Sequence, residues 1–326
     1  MTAGWRILAL HCLSMLILGR EEVEKLLLMG ECIDVMAEAL SALARGEALQ
    51  PLRQAHWLPD RRGLLGVMPG ALWDDGGEVL GLKVITVFPG NHQRGEESHL
   101  GSVLLFEAGM GKPVAILDAA AITAIRTAAV SALATRLLAR EDAGDLALLG
   151  ASVQAKTHLA ALREVRPLRR VRVWSRRPET ARRFAAEESV EAVATAREAV
   201  EGADLVCTVT SSREPILEGA WLSPGAHVNA VGACTPAARE LDTEVIRRAR
   251  LFVDRRESAL AEAGDLLIPM REGAVGEDQI AGELGDLLLG RIPGRQSPEE
   301  ITVFESLGLA VEDLAAARYI WRKALR

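Results

Sequence analysis

The segment 146–162, L-A-L-L-G-A-S-V-Q-A-K-T-H-L-A-A-L, constrains this chain more than any other. Four apolar residues end at Gly150, a tight turn follows, and helix-forming residues begin near Val153. A strand that turns sharply into a helix points free backbone N–H groups and the positive helix end outward, where a pyrophosphate can sit. The dinucleotide fingerprint wants two glycines and then a glycine or alanine, and here these positions hold Gly150, Ser152 and Ala155. With serine at the second position, the turn alone reads equally well as an ordinary strand-to-helix loop. Read as a dinucleotide turn, it contributes Gly150, Ala151, Ser152, Val153 and Gln154 to a cofactor site.

The next segments favour the dinucleotide reading. A strand at 171–174 follows a helix and ends in Ser175, Arg176, Arg177 and Pro178. An NAD site usually places an acidic residue there to hold the ribose 2′-hydroxyl, whereas two arginines and a serine suit a 2′-phosphate. NADP(H) is therefore the favoured cofactor, with NAD(H) possible. The plainer alternative is that both arginines are simply solvated. Further strands at about 190, 204–210, 228–231 and 251–254 alternate with helical stretches such as 241–250, the pattern of a doubly wound parallel sheet.

The residues before this region read differently. Residues 21–45 have a helical apolar period broken at Gly30. Strands follow at 54–58, 64–68 and 81–88, and a hairpin pairs 101–106 with 113–117 across Gly109-Met110-Gly111. A long alanine-rich helix, 119–138, then carries the chain into the parallel region. In the last segment, 306–326, residues Ala310, Leu314, Ala317, Trp321 and Leu325 fall on one helical stripe expected to pack on a core. The expected fold is α/β: a Rossmann-type doubly wound sheet over 121–305, plus a discontinuous α+β substrate-binding and dimerisation domain over 1–120 and 306–326.

Length and charge set limits on function. A chain of 326 residues suits two domains, each with its own core. A net charge of −7 argues against nucleic acid as a partner. Cys12, Cys32, Cys207 and Cys234 show no C-x-x-C spacing and read as reduced thiols of a cytoplasmic protein; no paired histidine motif indicates a metal. The apolar run 7–18 is too short to span a bilayer and has no small-residue cleavage site before Arg20, so no membrane role is expected, and 1–14 reads as a dispensable extension ahead of a strand at 15–18.

Several segments together resemble the ornithine cyclodeaminase/mu-crystallin family: G-L-K-V-I-T-V-F-P-G-N at 81–91, T-A-I-R-T-A-A-V-S at 123–131, N-A-V-G at 229–232 with Pro236, R-E-L-D at 239–242, and S-L-G-L-A-V-E-D at 306–313. The resemblance implies a homodimer built on the N-terminal domain, with the nicotinamide lying between the domains and a small imino- or amino-acid substrate. It adds Thr127, Thr208, Val209, Thr210, Val231 and Ser306 to the expected cofactor contacts. It also matches Arg53, Lys83 and Arg126 to the family's substrate-binding cations, whose burial together is costly unless an anion such as an amino-acid carboxylate joins them. Without the resemblance, Lys83 reads as an outward strand residue, Arg126 as a helix surface cation and Arg53 as a loop residue.

The informative departure is Cys234. In the family's cyclodeaminases and alanine dehydrogenases the matching position is an aspartate able to take up a proton, and a thiol is a poor substitute. In its ketimine reductases the position is a small hydroxyl residue. Retained cations without that aspartate fit reduction of a preformed C=N bond, in a cyclic ketimine such as Δ1-pyrroline-2-carboxylate or Δ1-piperideine-2-carboxylate. The alternatives are ornithine cyclodeamination or alanine oxidation using NAD, with Glu240 or Asp242 replacing the aspartate, and a non-catalytic NADPH-binding protein. Cys234 is grouped with the catalytic residues on this match, although on residue type alone it is a buried thiol without chemical duty.

Overall fold

A computed structural model describes residues 15–94 and 98–326. The expected extension 1–14, including Cys12, lies outside the described residues. A first sheet contains β1 (Leu16–Leu18), β2 (Ala48–Leu49), β3 (Gln54–Trp57), β4 (Leu64–Asp74), β5 (Gly77–Val87), β6 (His99–Glu107) and β7 (Pro113–Asp118). Its order is β1-β7-β6-β5-β4-β2, with β3 also paired to β4, and it is antiparallel except where β1 runs parallel to β7. Helices α1 (Arg20–Leu26) and α2 (Met29–Arg45) precede β2. The break between them falls at Leu27 and Leu28, not at the expected Gly30: Leu27 is buried, Leu28 takes extended backbone, and Gly30 sits in the first turn of α2, where a poor helix former is tolerated.

The β4–β5 hairpin is longer than the sequence suggested, because the Pro69-Gly70 pair reads as a stop. In the sheet, Pro69 occupies the stretch of β4 between its pairings with β3 and β2, where no N–H is needed on that side. Gly70 pairs with Gly81 across the hairpin. The bare backbone there makes room for a C-terminal helix, Ala310–Ala324: a Cβ at Gly81 would lie 2.8 Å from a Leu314 methyl, and one at Gly70 3.3 Å from Ala310. That helix is enclosed along its first two turns rather than along one stripe. Leu325, expected at the core, is exposed, while Glu312, Asp313 and Arg318 are buried. Arg318 forms a forked pair with Asp74 at 2.6 and 2.8 Å, fixing the helix to the hairpin end.

The second sheet contains β8 (Asp145–Leu149), β9 (Arg170–Trp174), β10 (Glu191–Ala192), β11 (Leu205–Thr208), β12 (His227–Ala230), β13 (Arg250–Val253), β14 (Ile280–Glu283) and β15 (Thr302–Glu305). All pairings are parallel and the order is β10-β9-β8-β11-β12-β15-β13-β14, the α/β doubly wound arrangement expected from the sequence. Two strands of this sheet, β14 and β15, are absent from the sequence expectation. Four-residue runs show no usable period, and β15 is placed between β12 and β13 only by tertiary pairing.

Helix α3 (Ala119–Leu138) joins the two sheets, its N-terminus capped by Asp118, whose carboxylate accepts from the Ala121 N–H at 2.7 Å. It is long and apolar enough to cross a membrane by composition, yet it is mostly buried inside the protein. Its alanines allow close approach to α2, to α4 (Val153–Val165) and to the C-terminal helix, and one apolar core fills the space between these helices and the first sheet.

Candidate active site

Two groups of residues meet where the sheets face each other. The first is cationic. Strand β5 alternates, and Lys83 shares its inner face with Val79 and Gly81, while Leu82 and Val84 face outward; the solvated reading of Lys83 is therefore wrong. Its ammonium lies 2.6 Å from Asp313 and 3.5 Å from the Thr123 hydroxyl. Arg126, buried on α3, donates from Nε to Asp313 at 2.9 Å and from Nη1 to Glu312 at 2.7 Å. Arg53, just before β3, donates from Nη2 to the carbonyls of Leu307 and Gly308 at 2.6 and 3.0 Å, and its Nε pairs with Glu262 at 2.7 Å.

All three cations thus converge on the segment 307–313, which leads from β15 into the C-terminal helix. Asp254, at the end of β13, anchors that segment by accepting from the N–H groups of Leu307 and Gly308 at 2.8 and 2.7 Å. Gly308 has φ +76°, and a Cβ there would collide with the Arg126 guanidinium.

The anions that join these cations in the structure are protein carboxylates, Glu312, Asp313 and Glu262, where the sequence suggested an amino-acid carboxylate. Glu312 and Asp313 went unnoticed as site residues although both stand in the quoted 306–313 motif. Two acids in the first turn of an apolar helix read as dipole partners, and only the fold turns them inward. Burial drives the Lys83 pKa down to about 8 against the pull of Asp313. Burial also raises Glu312 to about 7, opposing Arg126. Asp313, although buried, is held below the usual carboxylate range by Arg126 and Lys83.

Cys234 sits beside this cluster. Its thiol donates to the Val231 carbonyl at 3.2 Å and approaches the Ser306 carbonyl at 3.7 Å. Desolvation pushes its pKa up to about 12, so it is a neutral thiol. Neither suggested substitute for an aspartate is available. Glu240 is fully buried and holds the loops, accepting from the Thr210 N–H and hydroxyl and from the Gly232 N–H. Asp242 caps a helix, accepting from the Val245 and Gly219 N–H groups. Thr210, expected to touch the cofactor, thus has both its donors engaged by Glu240.

The second group lines the carboxyl ends of the parallel strands. The strand order reverses between β8 and β11, and ligands of such sheets bind in the crevice at that point. Gly150 follows β8 with φ +126°, and a Cβ on it would stand 2.8 Å from the Val209 carbonyl, so only glycine lets the two strand ends close up here. Ser152 precedes α4 without capping it, leaving the exposed N-terminal N–H groups of Ser152 and Val153 free of a side-chain partner. The Gln154 side-chain oxygen is buried without a partner. A bare glycine cradle, an uncapped helix start and an orphaned amide fit a dinucleotide pyrophosphate.

The other expected contacts lie along the same rim. Ala151 is half-buried in the turn, Thr208 ends β11, Val231 follows β12, and Ser306 follows β15. Thr127 is buried next to Arg126 on α3. Ser175, Arg176 and Arg177 follow β9; both arginines are exposed, and among the described residues neither side chain has a hydrogen-bond or ion-pair partner.

Comparisons with known proteins identify the family and the fold. The sequence model described as the ornithine cyclodeaminase/mu-crystallin family matches residues 14–326. This chain belongs to that family. The family resemblance of the motifs at 81–91, 123–131, 229–242 and 306–313 is thereby borne out. The ketimine reductase mu-crystallin of Mus musculus is 44% identical over 85% of both chains. The solved Δ1-pyrroline-2-carboxylate reductase of Thermococcus litoralis, in complex with NADH and L-proline, is 39% identical, with a TM-score of 0.91 over 95% of this chain and 98% of its own. An archaeal alanine dehydrogenase dimer with bound NAD is 33% identical, with a TM-score of 0.89 over 95% and 96%. Both of these solved structures hold a nicotinamide dinucleotide, NADH in the first and NAD in the second.

Proposed function

We propose that this family member is an NAD(P)H-dependent imine reductase that converts a small cyclic ketimine carboxylate, of the Δ1-pyrroline-2-carboxylate or Δ1-piperideine-2-carboxylate kind, into a cyclic amino acid. The observation that carries this reading is the convergence of Lys83, Arg126 and Arg53 on the segment 307–313, beside the strand ends that fit a dinucleotide. Gly150, Ser152, Val153 and Gln154 would hold the cofactor's pyrophosphate, and the cofactor supplies a hydride when bound. Lys83 and Arg126 clamp the substrate carboxylate, with Arg53 assisting, and orient the ring.

Lys83 then gives its proton to the imine nitrogen, which makes the neighbouring carbon a better hydride acceptor; a pKa of about 8 suits it to that transfer near neutral pH. Cys234 keeps the loop after β12 against Ser306 through its thiol hydrogen bond. A neutral thiol there, with Glu240 and Asp242 both committed to backbone groups, argues against the alternatives of ornithine cyclodeamination and alanine oxidation.

The free Arg176 and Arg177 side chains favour NADPH over NADH. The same reading includes the two-domain division at about residues 120 and 306, a cytoplasmic location, and a homodimer. The outer face of the first sheet exposes Leu65, Trp73, Leu80 and Leu100, a surface suited to a second copy of the chain. The test is NADPH oxidation with both imines, with NADH run in parallel. Turnover preferring NADPH is expected. Failure with both imines, together with ammonia release from ornithine or alanine, would overturn the assignment.

A further inference from the structure

The carboxylate clamp is closed on itself. Lys83 from β5 and Arg126 from α3 face Glu312 and Asp313 from the C-terminal helix, and all four side chains are at most 4% exposed. Two positive and two negative charges cancel. A substrate carboxylate entering this group adds a third anion to an enclosed site where an unbalanced charge is costly. The clamp reading above therefore needs one more positive charge: the charge of Arg53 is already balanced by Glu262, Asp254 contributes a further negative charge, and among the described residues no fourth cation stands in the cluster. Cys32 faces the cluster from α2 as a thiol that burial keeps neutral.

Glu312 is the member placed to supply the balance. Its Oε2 accepts from Arg126 and from the Leu309 N–H, while its Oε1 is buried with no hydrogen-bond partner among the described residues. A proton can enter at Oε1 without breaking either bond. Asp313 has no such freedom, since Oδ1 faces Arg126 and Oδ2 faces Lys83. We propose that Glu312 is a positioning residue that takes one proton from solvent when a carboxylate occupies the clamp, so that the ligand binds as an anion together with a proton. This inference rests on the clamp assigned above. With a pKa already raised to about 7, Glu312 is ionised in the free protein just above neutrality and protonated once a third anion arrives.

The probe is pyrrole-2-carboxylate, a planar ring acid without a basic nitrogen, titrated calorimetrically into the full-length protein in buffers of different ionisation enthalpy. The wild type should take up about half a proton at pH 7, nearly all of it through Glu312, and more as pH rises through 8, where Lys83 adds its own share, so that its affinity weakens steadily toward alkaline pH. Glu312→Gln removes one negative charge from the cluster and so leaves it readier for the anion without a proton. It should bind the probe more tightly than wild type at the alkaline end, with a flattened pH profile and lower proton uptake. Lys83 also recruits a proton near pH 8, and the difference between wild type and Glu312→Gln at neutral pH isolates the Glu312 share. Glu312→Asp, which keeps an ionisable group, should keep the pH dependence. Probe binding by the wild type without proton uptake, or uptake unchanged in Glu312→Gln, overturns the inference while leaving the clamp intact. No probe binding at any pH removes the clamp itself and the inference with it.

Discussion

Replacing Arg126 by methionine perturbs both the chemistry and the stability of the site, and the two effects can be separated. The guanidinium satisfies Glu312 at 2.7 Å and Asp313 at 2.9 Å, in a setting that is 4% exposed. Removing one partner of a buried ion pair costs about 3–5 kcal/mol, because the remaining charge stays desolvated. Here the lower end applies. Asp313 keeps Lys83 at 2.6 Å, and Glu312, with its pKa already raised, becomes a neutral acid once its cation is gone. A loss of about 3 kcal/mol is tolerable for a fold of ordinary stability, about 5–15 kcal/mol.

Urea denaturation should therefore show a folded but weakened protein, and a second change, Glu312→Gln, should restore about 1 kcal/mol by removing the orphaned acid. Turnover should not return with it. Loss of the clamp should lower kcat/KM at least about a hundredfold in both variants. NADPH binding, followed by fluorescence, should change little, because the dinucleotide cradle lies at Gly150 and α4. Wild-type stability in the single variant would refute the buried-pair accounting, and turnover within a few-fold of wild type would refute the clamp.

Four further outcomes are expected. Gly150→Ala, which forces a methyl against the Val209 carbonyl at positive φ, should weaken NADPH binding in a fluorescence titration; unchanged affinity would mean the turn is not the cofactor cradle. Arg176→Ala with Arg177→Ala should lower the NADPH-to-NADH ratio of kcat/KM by at least about tenfold, and a constant ratio would assign both arginines to solvent. Single-turnover rates should fall as pH rises through about 8, where Lys83 loses the proton it donates; a rate flat to pH 10 would point to another donor.

The fourth concerns stability. Burial depresses His158 from 6.5 to about 4, so it is neutral when folded and charged when unfolded between those values. Its stabilising share is present above pH 6.5 and is lost as pH falls toward 4, about 2 kcal/mol of it by pH 5. Replacing His158 by glutamine should shrink the difference between urea midpoints at pH 7 and pH 5, and an unchanged difference would discard the account.

The parts legible in the sequence were those written in local pattern. Helix α3 was readable because twenty residues without glycine or proline form a helix in almost any setting. The strand-to-helix turn at Gly150 was readable because its glycine answers a local backbone demand, a φ of +126°. The cations Lys83, Arg126 and Arg53 were found through family motifs. Their own surroundings in sequence gave Lys83 the wrong face, since period-two alternation marks two faces of a strand without saying which is inside.

Glu312 and Asp313 were invisible as site residues for a related reason. Acids in the first turn of a helix serve the macrodipole equally well in solvent or in a core, and only the seating of that helix on Gly70 and Gly81 decides that these two face Arg126 and Lys83. The insertion of β15 between β12 and β13 is of the same kind. The sequence by itself determined the local conformations, the parallel sheet and the family, because these depend on propensity, period and motif within short windows. Tertiary structure alone decided the charge balance of the site, because that balance depends on which side chains from β5, α3 and the C-terminal helix share a volume closed to water.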